Sequence, residues 1–362
     1  MFTQYISMSR RRWALLSIAA LLLAAPSSAA FKPKTKNLEA GPITVSAQRI
    51  TSFSRTGSSE THFGKLDFLG GLVLTAPDVP NFGGWSGLVL DPDGKSFVSI
   101  SDSGVWLTGS LQYDGSSPTG IKDARIGPVL GADGKPFKRD RDNDSEAIAL
   151  LNGSVQSGEV LVSFEQNTRI ARYSITGDGL SAARAFLPIP KGAAAMRRSQ
   201  GFEAMTVMRG GPHKAEVVAM SERLYDKSRN HTGWIWTPSG PQDFHLTNIG
   251  DFDVTDVAST DDGTLYVLER RFRWLEGVKM RLRRINAADL QPGRTVDGKI
   301  LIEADLEKEI DNMEGLSVTR NLAGETIFTM ISDDNFNHVL QRTVLLQFAL
   351  NASETAKARP PQ

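Results

Sequence analysis

Between residues 42 and 350 the chain is built from short apolar runs, some alternating with polar residues and some nearly continuous. Almost every run stops at a turn-forming pair. Residues 43–50 alternate apolar and polar positions, the pattern of a half-buried strand. Residues 65–75 form a second strand candidate, interrupted at Gly70-Gly71. From there Asp93-Gly94, Asp133-Gly134, Asp178-Gly179, Asp262-Gly263 and Asp297-Gly298 punctuate the pattern. No window sustains a long 3.6-residue period; residues 301–310 alone could form a short helix. The pattern predicts an all-β protein.

The runs also repeat. Trp85-Ser86-Gly87-Leu88 leads to Ser101-Asp102, and Ser145-Glu146-Ala147-Ile148 leads to Phe164-Glu165. Phe202-Glu203-Ala204-Met205 leads to Ser221-Glu222, Thr255-Asp256-Val257-Ala258 to Leu268-Glu269, and Met313-Glu314-Gly315-Leu316 to Ser332-Asp333. The opening positions 86, 146, 203, 256 and 314 are separated by 60, 57, 53 and 58 residues. Glu146 to Glu165, Glu203 to Glu222 and Glu314 to Asp333 each span 19 positions. A period in the fifties with four short strands per unit predicts a β-propeller. Because the first opening lies at 86, the N-terminal strands are expected to share a blade with a C-terminal strand at 343–350, closing the ring and removing its open edges. The length of the repeating region favours six blades.

The Asp256 repeat shows where the acids go. Residues 256–260 form a strand, Asp261-Asp262-Gly263 a hairpin turn, and residues 264–268 the return to Glu269. The start of the first strand and the end of the second lie at one end of such a hairpin, so Asp256 and Glu269 are expected at one rim. The same logic gathers all the pairs at one mouth of the channel if each first strand is innermost. Crowded carboxylates repel unless something neutralises them. Oxygen-rich ligands suit hard divalent cations, chiefly calcium, with Asp102, Glu146, Glu165, Glu203, Asp256, Glu314 and Asp333 as candidate ligands. The remaining neutralisers are basic: Arg223 follows Glu222, and Arg270, Arg271 and Arg273 follow Glu269. Asp140-Arg-Asp-Asn-Asp144-Ser-Glu146 adds alternate acids but lacks the glycine of an EF-hand loop. A single acid after a strand can equally cap a turn; five pairs in sequence favour a shared rim. Trp85, Phe202 and Met313 beside the openings are read as core or channel packing.

Charge narrows the partners. Lys+Arg and Asp+Glu both total 41, a neutral balance that argues against nucleic acid. There are 0 cysteines, which excludes disulfides, thiolate metal sites and thiol nucleophiles. The five histidines (His62, His213, His231, His245 and His338) have no ligand spacing and are expected on loops or the surface, with His231 and His338 close behind rim acids. There is no P-loop, no dinucleotide fingerprint and no H-E-x-x-H, and Gly84-Trp85-Ser86-Gly87 lacks the helices that a nucleophile elbow needs.

At the N-terminus, Ser9-Arg-Arg-Arg12, an apolar stretch over 13–25 and small residues up to Ala30 describe a signal peptide, with the paired arginines beside Trp13 resembling the twin-arginine type. That stretch is short of the about 20 residues a membrane span needs. The reading is export to the periplasm or beyond, cleavage after Ala30, a basic linker over 31–41, a propeller domain over 42–350 and a disordered tail over 351–362.

Glu269-Arg-Arg-Phe272, Asn312-Met-Glu-Gly-Leu316, Ser332-Asp-Asp-Asn-Phe-Asn337 and Gln341-x-Thr343, with Trp85-Ser-Gly-Leu88 and Ser101-Asp-Ser-Gly104 as an opening motif, are similar to the phytase-like family of exported bacterial proteins. The resemblance covers about residues 65–350 and implies a propeller with the esterase-like activity of phytase. Two departures stand out: Ser86 replaces an opening acid, and His338-Val-Leu lengthens a loop beside the site. On this resemblance a calcium-assisted phosphoester hydrolase is expected, with Arg223 and Arg270 or Arg271 stabilising phosphoryl charge and Glu222 or Glu269 as general base. The alternatives are a metal-dependent lactonase or other carboxylic-ester hydrolase, and a non-catalytic binding propeller. A monomer acting on a small ester is expected.

Overall fold

Strands buried on both faces need a neighbour above and below, and short antiparallel sheets stacked around an axis supply one. In the computed structural model, which describes residues 32–196, 200–351 and 354, the chain is an all-β propeller of five blades. The innermost strands are Trp85–Leu90, Ser145–Ser154, Phe202–Val207, Asp253–Ser259 and Asn312–Arg320. They pack one against the next in a closed circuit. Each pairs antiparallel with a second strand: Ser96–Ser101, Ser157–Phe164, Val217–Tyr225, Leu265–Arg273 and Thr326–Asp333 in blades 1 to 5. Third strands follow at Val105–Asp114, Arg169–Thr176, His231–Thr237, Gly277–Ile285 and Thr343–Leu350.

The ring closes as the pattern predicts. Leu66–Thr75 pairs antiparallel with the C-terminal strand Thr343–Leu350, and Ser46–Ile50 adds outside it. The count differs from the sequence reading: there are five blades, not six. The N-terminal strands complete the blade that Asn312–Arg320 begins, so the five openings already account for the whole ring. Five apolar clusters fill the spaces between successive blades, for example Trp85, Leu88 and Leu107 with Leu72 and Leu345 between blades 5 and 1. Trp85, Phe202 and Met313 are fully buried, in keeping with their reading as packing residues.

Residues 301–310 form no helix. Lys299–Asp305 is the outer strand of blade 4, with Leu301, Ile302 and Ala304 buried. The unpaired edge of Gly277–Ile285 offers a full row of hydrogen bonds, and that outweighs local helical preference. Gly41, the last residue of the expected linker, and Pro42 pair with Ile126 and Arg125 of the outer strand of blade 1. The expected signal peptide and most of the expected tail lie outside the described residues. No helix among the described residues is long and apolar enough to cross a membrane.

Phe348 joins the two ends of the chain. It is fully buried and stands edge-on to Phe53 at 5.0 Å and tilted to Phe68 at 5.3 Å. Phe348→Ala is expected to destabilise the fold by about 3–5 kcal/mol through cavity formation at the closure. Urea denaturation would read this as a lower midpoint, and a loss below about 1 kcal/mol would show that closure does not depend on this aromatic cluster.

Candidate functional site

All five innermost strands start at one end of the ring, and there each ladder to the second strand slips. The residue inside the slip is Ser86 in blade 1, Glu203 in blade 3, Thr255 in blade 4 and Glu314 in blade 5; in blade 2, Glu146 and Ala147 together face Ser163. Such a bulge re-aims the side chain it carries. On the second strands, the residues that follow the pair flanking each slip are Asp102, Glu165, Glu222, Arg270 and Asp333.

This register separates residues that the repeat alignment treated alike. Val254 pairs with Glu269 and Asp256 with Leu268, so Thr255 takes the bulge position and Arg270 the following one. Asp256 and Glu269 are each one residue out of step with their counterparts, and one residue is enough to change the face a side chain serves. Asp256, almost wholly buried, accepts the backbone N–H of Leu316 at 2.7 Å and of Val257 at 2.8 Å, and also that of Met205. It ties together the inner strands of blades 3, 4 and 5. Glu269, with no exposed surface, pairs with Arg283 at 3.0 Å and Arg281 at 3.6 Å. Arg271 turns outward, donating to the Gly250 carbonyl at 2.8 Å and lying over the Phe252 ring.

The remaining acids do converge. Burial first, then the charges of Glu146, Glu222, Glu165 and Glu314, push the Glu203 carboxyl well above its ordinary range. Burial raises Glu314 to about 7, with Asp102 and Glu222 adding to the effect and Arg270 opposing it. Asp333 is driven well up by burial and by the charges of Glu314 and Asp102. Glu165 rises to about 8 through burial and through Asp144, and its carboxyl hydrogen-bonds those of Asp144 and Glu203. A bond between two carboxyls needs a proton on one of them. Asp102, Glu146, Glu165, Glu203, Glu222, Glu314 and Asp333 thus form one electrostatically connected cluster at the channel mouth.

Arg270 enters this cluster because of the register in blade 4. Its Nη2 lies 3.5 Å from Glu222 and 3.4 Å from Glu314, bridging blades 3 and 5. Arg223 sits beside it, gripping Asp253 at 2.9 and 2.6 Å and reaching Glu222 at 3.3 Å. Burial lifts the Glu222 carboxyl, and the two guanidinium groups pull it back. Asn312 donates to Glu314 at 2.8 Å. His231, expected on a loop, is instead a fully buried strand residue whose imidazole is held down to about 4 by desolvation. His338 is exposed and pairs with Asp334 at 3.2 Å.

The motif at 332–337 divides its labour. Asp333 belongs to the acidic mouth, whereas Asp334 latches blade 5 to blade 1 by accepting the Gly84 N–H at 3.0 Å and the Thr343 hydroxyl at 3.0 Å. Gly84 has φ +66°, and a Cβ there would fall 2.3 Å from an Asp102 oxygen, so glycine is required for the blade 1 acid to reach the mouth.

Asp144, Glu146 and Glu165 bring ligand oxygens within 4.8 Å of one another. Such hard, anionic oxygen donors fit a divalent cation, which would offset the repulsion that otherwise holds protons on the cluster. Asp144 was visible in the sequence only as one of several alternate acids over 140–146; it joins the site because Glu165 N–H donates to its carbonyl at 2.9 Å, holding the two blade 2 turns together. Asn312 had its signal inside the quoted motif.

Raised carboxyl pKa values mean that the folded protein binds more protons than the unfolded chain between the ordinary glutamate range and about 8. Stability in EDTA is therefore expected to fall as pH rises from about 6.5 to 8.5. That window lies above the titration of His231, whose depressed value works in the opposite sense at lower pH. Glu203→Gln is expected to flatten the slope. Melting temperatures across this window test it, and a wild-type profile that stays level or climbs would contradict the crowding.

No curated protein matches the chain. Among solved structures, virginiamycin B lyase from Staphylococcus aureus is similar at 12% identity and a TM-score of 0.34, covering 83% of this chain and 79% of its own. U3-55K is similar at 9% identity and 0.39, covering 73% and 95%, and a hypothetical protein from Leishmania major at 8% and 0.37, covering 73% and 85%. Likeness that slight carries nothing about chemistry. The family described as phytase-like, with the esterase-like activity of phytase, matches residues 80–336, from just before the first innermost strand to the latch at the acidic mouth. The chain belongs to the phytase-like family.

Proposed function

We propose that this chain is an exported, calcium-dependent phosphoester hydrolase that acts on a small substrate, as a monomer, at the acidic mouth of the propeller channel. The observation that carries the reading is the insertion of Arg270 among the crowded carboxylates, 3.5 Å from Glu222 and 3.4 Å from Glu314. The guanidinium offsets the charge of both carboxylates, and it also brings planar donors to the acidic mouth. A phosphoryl group can use them, because its developing charge lies on oxygens that planar donors meet in pairs.

Asp144, Glu146 and Glu165 would hold the cation, with Glu203 next to them and Asp102, Glu314 and Asp333 across the mouth. When bound, calcium supplies positive charge for the phosphoryl oxygens and makes water more acidic. The chain's own residues do the rest. Arg270 orients the phosphoryl group and stabilises its charge, and Arg223 keeps Glu222 in place through Asp253. Glu222 is the better-placed general base: it faces the mouth, whereas Glu269 is enclosed by Arg283 and Arg281. Glu314, titrating near 7, can take up or return a proton at working pH. The short N-terminal apolar stretch supports the exported reading.

The test is phosphate release from p-nitrophenyl phosphate, its diester and phytate, with calcium and with EDTA. Turnover that EDTA removes and calcium restores is expected. Arg270→Gln and Glu203→Gln should each lower kcat about 10²–10³-fold, the range for losing one charge-stabilising group. Failure to release phosphate from any of the three, or hydrolysis of lactones in its place, would sink the proposal.

A further inference from the structure

At the opposite end of the channel, the turns that join first to second strands surround another cavity, of about 400 Å³. This is within the usual size of a small-molecule site. None of the mouth acids lines this cavity, and the inner-strand residues between the two ends surround a separate small void of about 30 Å³. A ligand in the second cavity therefore belongs to a separate site.

Its walls combine two chemistries. Leu150, Val207 and Val318 supply apolar surface from the ends of three innermost strands. Arg209, Lys214 and Arg320 supply positive charge at the edge. Arg209 is half-buried and lines the cavity, and one of its guanidinium nitrogens donates to the Val318 carbonyl at 3.3 Å. The Lys214 ammonium makes no ion pair among the described residues. Nearby acids are mostly committed elsewhere. Asp262 holds Arg320 at 3.2 Å and also accepts from Thr260 and Thr264. Asp91, which moderates Arg209, is buried and accepts the Val155 N–H at 2.9 Å. Asp261 is the acid that lines the cavity itself. Arg209 and Lys214 make no ion pair among the described residues, and with Asp261 as the acid in the wall the edge keeps a positive excess above an apolar floor, a place for negative charge.

We infer that this cavity binds a small organic anion, with a carboxylate or phosphate head on Arg209 and Lys214 and a compact apolar body against Leu150, Val207 and Val318. Such binding needs no metal ion, in contrast to the acidic mouth, where an anion must be met by a cation. The site is thus independent of the hydrolase reading.

The experiment is titration calorimetry of the full chain in EDTA with benzoate and phenyl phosphate, and with benzylamine as a cation of similar size. Saturable binding of at least one anion and none of benzylamine is expected; which anion binds identifies the head group. Arg209→Gln and Lys214→Gln should each weaken binding at least tenfold, while Glu203→Gln at the other mouth leaves it unchanged. Because Arg209 also holds the Val318 carbonyl, its variant is checked for an unaltered melting temperature, and Lys214→Gln alone decides if that check fails. Absence of saturable binding, affinity unchanged in Lys214→Gln, or loss of binding in Glu203→Gln would overturn the site.

Discussion

Repulsion among desolvated carboxylates is the force against which this propeller is built. Glu146, Glu165, Glu203, Glu222 and Glu314 feel one another across three blades, with Asp102 and Asp333 adding to the load on the far side. Left alone, such a group lowers its energy by taking up protons, and the raised values of Glu165 and Glu314 record that response. A fold holds the arrangement only if each acid is attached to a rigid element and the elements are bound to each other by something stronger than the repulsion. Stacked sheets meet that requirement. Each acid stands at or near one end of a strand, and buried residues of those strands pack between neighbouring blades.

The frame around the mouth uses the same residue types for the opposite purpose. Asp256 accepts amides from neighbouring inner strands, Asp334 accepts from Gly84 and Thr343 across the closing seam, and Glu269 is enclosed by Arg281 and Arg283. These acids are tied to amides, a hydroxyl or guanidinium groups of the frame. Serines perform a similar task at the same level: Ser163 donates to the Phe202 carbonyl at 2.7 Å, and Ser145 to the Ser101 carbonyl at 2.7 Å, each joining one blade to the next. Structural carboxylates are enclosed by backbone amides or guanidinium groups, whereas site carboxylates crowd one another; even Asp333, which accepts the Asn335 N–H at 2.6 Å, feels the charges of Glu314 and Asp102. The register at the start of each inner strand sets which acid takes which place.

The two ends of the channel differ in kind. At one end the strand starts carry acids; at the other, the turns carry Arg209, Lys214 and Arg320 above apolar walls. The two ends share no lining residue with one another: none of the mouth acids lines the second cavity. With Lys+Arg and Asp+Glu both at 41, overall charge conceals this polarity completely. Net charge informs about partners only when charge is evenly spread.

The all-β class, the propeller, the closing of the ring by Leu66–Thr75 with Thr343–Leu350, and the acidic mouth were all legible in the residues, because period-two patterning, turn pairs and a repeat spacing are local properties of a chain. The blade count was not: the length of the region is shared between blades and added edge strands such as Ser46–Ile50, and only the pairing of those strands tells an extra edge from an extra blade. Residues 301–310 read as helix for a related reason, since the edge that recruits Lys299–Asp305 lies in another strand. The membership of the site was half legible. Glu146, Glu203 and Glu314 align by eye, yet Thr255 and not Asp256 completes their row, and Arg270 and not Glu269 faces Glu222. Sequence alone establishes how often an acid recurs. Only the hydrogen-bonded register of the folded sheet decides which side of the strand that acid serves, because a slip of one residue costs the sequence nothing and turns the side chain over.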